Sequence, residues 1–351
     1  MSSAPSQSLA PPPAAEQDNE LGIELSAVIF AVTGDDPKVL AIRHGEARDS
    51  EGEGREGESR DKQGREGLPS GPLERGHRTL EIGLRSWVER QTLQHLGHVE
   101  QLYTFGDRAR GEDGRRSLSL AYLALVREAR PAGDADASWQ SWYRYFPWED
   151  WRGGRPAVLD VLLHGLRAWA AAAERRLADI RADRITLCFG GPQEAGWNEE
   201  RVLERYELLY EAGLVQESLR ENGALRGRGA ERGTHAAPPA AGSEMTVDHR
   251  RMLALAIARL RGKIKYRPVV FELMPPSFTL LQLQRTVEAL SGVRLHKGNF
   301  RRLIEQQRLV EETGEATSET GGRPARLVRF RREVLLERPA PGVRLPSGVR
   351  R

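Results

Sequence analysis

A chain of 351 residues is long enough for two or three domains, and its 39% apolar content can fill their cores. The single cysteine, Cys188, excludes an intrachain disulfide framework and a multi-cysteine zinc site. The formal net charge of +3 hides a split: 22 Lys and Arg against 10 Asp and Glu from Met245 onward, but 31 against 40 before it. An acidic first part joined to a basic last part places any polyanion partner at the C-terminal end.

Residues 1–20 are rich in Pro, Ala and Ser and read as a disordered tail, without the basic flank or apolar stretch of a secretory signal. No apolar run is long enough to cross a bilayer. Glu24–Val32 reads as a buried strand, Gly34 to Pro37 as a turn, and Lys38–Ile42 as the returning strand. Residues 45–67, almost wholly Gly, Glu, Arg, Asp, Ser and Lys, read as a solvated insertion with nothing to bury.

The stretch Gly71 to Leu93 comes next. Leu80, Leu84, Trp87 and Val88 recur at helical steps, with Leu96 continuing the series. Thr79 is placed to cap that helix, and Arg85 and Glu89 lie one turn apart, where they can pair. This stretch resembles the Nudix box, the loop-helix-loop of nucleoside-diphosphate hydrolases. With Gly71 on the first glycine of the box, Arg85 and Glu89 fall on its arginine and on one metal-binding glutamate. His77, Ser86 and Arg90 stand where other acidic residues belong, and Thr92 stands for the second glycine. Mg²⁺ takes hard oxygen ligands, and hydrolysis needs the metal to gather charge and activate water. The box therefore reads as a pocket that has lost hydrolysis yet still suits a nucleotide.

After the box, Val99–Phe105 and Ser117–Val126 read as strands, and residues 131–138 as a loop. Trp139, Trp142, Tyr143, Tyr145, Phe146, Trp148 and Trp151 follow as a cluster that either packs a core or stacks on an adenine. Pro156–Ile180 reads as one long helix, Ile185–Phe189 as a short strand, and Asn198 to Gln216 as a second helix with an asparagine cap. Residues 222–244 read as a linker.

The basic remainder begins with a helix over Asp248–Leu260. Thr279 and Gln282 form a capping box that opens a second helix, and Gly292 closes it. A turn leads to a third helix that opens with Lys297, Asn299, Arg301 and Arg302. Two strands, Leu309–Thr313 and Arg326–Arg331, then flank a glycine-rich tip. This order is that of a winged helix-turn-helix, and its third helix carries side chains that match guanine and adenine edges in the major groove. The tip arginines Arg323 and Arg326 suit phosphate or the minor groove.

Taken together, the box and the segments RGKIKYRPVVFELMPPSFTLLQLQRTVEAL, NFRRLIEQQRLVE and GGRPARLVRF resemble the Nudix-related transcriptional regulators of NAD metabolism. The resemblance covers about residues 22–336. It implies an α/β Nudix-like mixed-sheet sandwich over 21–221, a linker over 222–244, a mainly helical winged helix-turn-helix domain over 245–337 and a tail over 338–351. It also implies a cytoplasmic bacterial repressor that binds a palindromic double-stranded operator as a homodimer. Its effector would be a nucleotide such as ADP-ribose, NAD or ATP. Candidate DNA-binding residues are Lys297, Asn299, Arg301, Arg302, Arg323 and Arg326; effector candidates are Arg43, Arg85 and Glu89. No catalytic residue, metal ligand or cofactor is expected. Two competing expectations are an active Nudix-type hydrolase with an accessory nucleic-acid-binding domain, and a winged domain that docks a protein.

Overall fold

The computed structural model describes residues 22–44, 65–106, 117–127, 136–190, 196–225, 238–318, 324–338 and 342–343. Strand β1 (Gly22–Thr33) turns at Gly34 into β2 (Asp36–His44), forming an antiparallel hairpin. Two short strands, β3 (Arg65–Gly67) and β4 (Ser70–Pro72), pair antiparallel with β2 and β1. Helix α1 (Leu80–Thr92) follows, then β5 (Val99–Phe105) and β6 (Ser117–Leu125). Strand β6 runs antiparallel to β5 and parallel to β1, so the sheet is mixed. Its main path is β3-β2-β1-β6-β5, and β7 (Ala137–Ser141) adds to β2.

Alternation along β1 gives the sheet two buried faces. Leu25, Ala27 and Ile29 share one cluster with Leu84 and Val88 of α1. Val28 and Phe30 turn to the opposite face and join a larger core. That core also takes in the aromatic segment after β7 and helices α2 (Val158–Ala171), α3 (Arg175–Phe189) and α4 (Val202–Glu211), and α5 (Gln216–Leu225) follows α4.

The basic remainder holds α6 (His249–Tyr266), α7 (Leu280–Ser291) and α8 (Lys297–Gln307). Strands β8 (Val310–Thr317) and β9 (Ala325–Phe330) form the wing, and a final turn of helix, α9 (Val334–Glu337), follows. Phe278 exchanges backbone hydrogen bonds with Val328, which ties the entry to α7 against the wing. The larger core is continuous from Phe30 of the sheet through Ile257 and Leu260 of α6 to Leu283, Val287 and Ile304 of the winged part.

Several expectations change. Residues 65–67 are not loop: they form β3, with Gly67 buried. Residues 137 and 138 begin β7, where a loop was expected, because β2 offers them an open edge. Ile185–Phe189 is the end of helix α3, since Ile185, Cys188 and Phe189 bury one helical face. The long helix over 156–180 breaks at Ala172 to Glu174 into α2 and α3. In the expected linker, residues 222–225 end α5, Ala241 is buried, and the Ser243 N–H donates to the Arg144 carbonyl; just beyond it the Thr246 N–H donates to the Glu66 carbonyl. Within the expected tail, Val343 is buried and its N–H donates to the Ile264 carbonyl, 2.8 Å away.

Candidate functional site

The box helix starts as expected: the Thr79 hydroxyl accepts from the Ile82 N–H at 3.1 Å. It ends with Leu93 in the left-handed region at φ 51°, where the box pattern expects a bulky aliphatic one place after glycine. Gly71 is required by close approach. The Trp87 indole lies across it, and a Cβ there would come within 2.2 Å of the ring. The indole N–H donates to the Pro72 carbonyl at 2.8 Å, and the Arg90 guanidinium stacks on the ring at 4.4 Å. His77 accepts from the Glu74 N–H through Nδ1, so this box position serves the loop's own geometry.

The expected Arg85–Glu89 pair does not form. Arg85 turns back to Glu81, with Nη2 to Oε1 at 2.7 Å, and donates to the Leu96 and Gly97 carbonyls. A glutamate on the N-terminal side of its cationic partner is the better orientation on a helix, and the carbonyls after the helix use the rest of the fork. Glu89 lies 3.5 Å from His95. Arg43 is half exposed and 3.5 Å from Asp136. Among the described residues no hydrogen bond or ion pair joins Arg43 to Arg85 or Glu89, and no group of three His, Cys, Asp or Glu residues is gathered as for a metal.

The aromatic cluster packs. Trp142, Tyr145, Phe146 and Trp148 are fully buried, and Trp142 meets Phe30 of the sheet edge-on at 5.0 Å. The alternative expectation, stacking on an adenine, is closed to these four rings. Burial, and then the hydrogen bond to Glu66, push the Tyr145 hydroxyl well up, so it stays protonated.

Sequence reading missed a buried ionic node in this segment. Arg205 of α4 presents a fork to Glu149, with Nε to Oε1 at 2.6 Å and Nη2 to Oε2 at 2.9 Å. Arg261 of α6 reaches the same carboxylate at 2.6 Å. All three side chains are essentially excluded from solvent. Burial pulls the Arg261 guanidinium down, and Glu149 more than restores it, so it remains charged. The partners lie 56 and 112 residues from Glu149, so no local pattern in the sequence could have marked them.

In the winged part, the capping box is present as expected: the Thr279 hydroxyl accepts from Gln282 N–H, and the Gln282 carboxamide accepts from Thr279 N–H. Gly292 caps the other end at φ 76°. Between α7 and α8, the Glu288 carboxylate is buried and accepts from Leu295 N–H, the Gln284 side chain and Arg294. Gln284 also donates to the Leu295 carbonyl. This polar clasp fixes the turn. Phe300 and Ile304, one turn apart, seat α8 on the core. Lys297, Asn299, Arg301 and Arg302 are all exposed, and Arg302 donates to Asn299 at 3.3 Å. Arg326 is exposed on the wing and pairs with Glu312 at 2.7 Å. Arg323 lies outside the described residues.

Residues 270–330 match the NrtR DNA-binding winged helix domain. A curated relative from Acinetobacter baylyi, described as an ADPR responsive transcriptional repressor NtrR, is 41% identical over 87 residues. That match covers 25% of this chain and 34% of the relative, so it spans about a third of the relative's length. Among solved structures, Shewanella oneidensis NrtR complexed with a 27mer DNA is similar at TM-score 0.49 and 20% identity, covering 89% of this chain and 94% of that one. The Nudix domain of the same protein complexed with ADP ribose is similar at TM-score 0.30 and 21% identity, covering 36% of this chain and 77% of that one. The part from α7 through β9 has the order of a winged helix and lies within the residues that match the NrtR winged helix domain.

Proposed function

We propose that the chain is a DNA-binding transcriptional repressor whose Nudix-like domain senses ADP-ribose. The observation that carries this reading is the α7–turn–α8–wing unit, with its clasped turn and its four exposed polar side chains at the start of α8. The NrtR winged-helix match over 270–330 and the ADP-ribose-responsive relative support it. We assign Lys297, Asn299, Arg301 and Arg302 to base and backbone contacts, and Arg323 and Arg326 to the wing's contact with phosphate or the minor groove. Such a protein meets a palindromic operator as a homodimer, with half-sites about one helical turn apart, and works in the cytoplasm. Arg43, Arg85 and Glu89 remain the effector candidates, although Arg85 also holds the loop after α1. NAD and ATP are the alternative effectors, and genes of NAD biosynthesis or salvage are the expected targets.

Hydrolysis is not part of the proposal. Ser86 and Arg90 occupy box positions where carboxylates would gather a metal, and Arg90 brings a positive charge to the helix end. The test has two arms. Fluorescence anisotropy with its own upstream duplex should show binding that weakens steeply with salt and exceeds binding to a random duplex. Incubation with ADP-ribose and Mg²⁺ or Mn²⁺ should release no AMP above background. Equal affinity for both duplexes would refute a specific repressor, and metal-dependent AMP release lost in Glu89→Gln would favour the hydrolase.

A further inference from the structure

A helix C-terminus leaves its last carbonyls without intrahelical partners. At the end of α7, three of these groups are met from outside the winged unit. The Tyr143 hydroxyl donates to the Ala289 carbonyl at 2.7 Å, Arg261 Nε donates to Leu290 at 2.9 Å, and the Trp151 N–H donates to Gly292 at 2.7 Å. Two of the donors belong to the aromatic segment that continues β7, and the third lies on α6. Gly292 permits the approach twice over: its φ is 76°, and a Cβ would come within 2.4 Å of the Glu149 carbonyl and 2.9 Å of Arg261.

Glu149 controls this grip. Its carboxylate holds Arg261, whose remaining donors reach Leu290 and the Glu199 carbonyl. The same carboxylate holds Arg205 of α4, which also donates to the Cys188 and Asn198 carbonyls. One buried carboxylate thus links α4, α6 and the last turn of α7. The chain leaves that turn directly into α8. A buried ion cluster is an inefficient way to stabilise a fold, since well-packed apolar residues often do as well. What such a cluster supplies is a single geometry, because planar guanidinium forks accept few arrangements.

We propose that Glu149 is a positioning residue that, through Arg261, sets how the sheet domain seats the DNA-reading pair α7–α8. This rests on the winged unit reading DNA as proposed above, but the seating itself can be measured without DNA. Strand β7 hangs on β2, and the Arg43 N–H donates to the Asp136 carbonyl just before it, so the segment that carries Glu149 begins beside one effector candidate.

The test uses the full chain and two substitutions, Glu149→Gln and Tyr143→Phe, followed by hydrogen–deuterium exchange without ligand. Amides of residues 289–300 should lose protection by roughly tenfold in Glu149→Gln and less in Tyr143→Phe, while those of β1 and β6 stay protected. Specific DNA affinity should fall in the same order. Unchanged protection of 289–300 in Glu149→Gln overturns the proposal. So does an equal loss across the sheet, which would mark the node as general scaffolding. Should Glu149→Gln fail to fold, Arg261→Lys, which keeps the charge and removes the Nε donor to Leu290, decides by the same criterion. A wild-type protein that binds no DNA would refute the repressor reading, while the exchange pattern would still decide the seating.

Discussion

Single side chains carry distinct burdens in this molecule. Arg301 and Asn299 are exposed on the first turns of α8. Replacing either by alanine should cost about 1–3 kcal/mol on the operator and less on random DNA. Equal losses on both duplexes, read in the same anisotropy titration, would make them phosphate anchors. Glu288 acts differently, since its partners Gln284, Arg294 and Leu295 lie in α7 and the turn before α8. Glu288→Ala strips the Leu295 N–H, the Gln284 amide and Arg294 of their acceptor. Thermal unfolding should show a loss of about 1–3 kcal/mol, the penalty of a buried unsatisfied polar group; an unchanged midpoint would mean water replaces the carboxylate. Helix α8 and its polar, exposed start were legible because a helix and its faces are local in sequence. Glu288 was not singled out, because a glutamate on a helix reads as solvated until its turn is seen to fold over it.

Elements show where local pattern suffices and where it fails. Helix α1 could be read from its apolar steps and its threonine cap, and α7 from its capping box and Gly292. Strand β7 could not: Ala137 and Trp139 pack toward the core and alternate with Ser138 and Gln140, but the alternation is too short to stand out between a loop-like run and the aromatic cluster. The run ending α3 misled for the opposite reason, since a short apolar run fits a strand or a buried helix equally well. Two predictions belong here. Gly71→Ala should destabilise the protein by roughly 1–3 kcal/mol, the usual cost of overpacking, because the Trp87 indole must leave its place over β4. A thermal midpoint equal to wild type would show that the indole moves freely. The turn after β7 should also be acid-sensitive. Burial pushes the Asp150 carboxyl up, but the hydrogen bonds and charge of Arg152 outweigh it and hold it below the ordinary aspartate range. The unfolded chain then binds the proton more readily, so this contribution is present above the ordinary range and is lost as pH falls through the depressed value. Asp150→Asn should flatten the acid limb of the stability profile, and an unaltered slope would show that the pair adds nothing.

On the scale of the whole molecule, the sheet domain and the winged unit share one core, and α6 runs through it. The order of the parts could be read from sequence, because each unit has local signatures. Their attachment could not, since Glu149, Arg205 and Arg261 come together over separations of 56 and 112 residues. Within the expected linker, Ala241 is likewise buried and Ser243 is bonded to the Arg144 carbonyl, where composition suggested a free connection. Under the proposed function, an effector would act on DNA through this shared core. A ligand shifts an equilibrium only by its differential affinity for two arrangements, and two half-sites about 34 Å apart tolerate little change in the angle between reading helices. The most direct measurement is a titration of the upstream duplex with the full chain, with and without saturating ADP-ribose at fixed salt. The account predicts a change in affinity of roughly 5–150-fold, the range of a coupling of about 1–3 kcal/mol. It also predicts that Arg85→Ala binds DNA like wild type without the nucleotide and no longer responds to it. Identical wild-type curves with and without ADP-ribose would contradict the account.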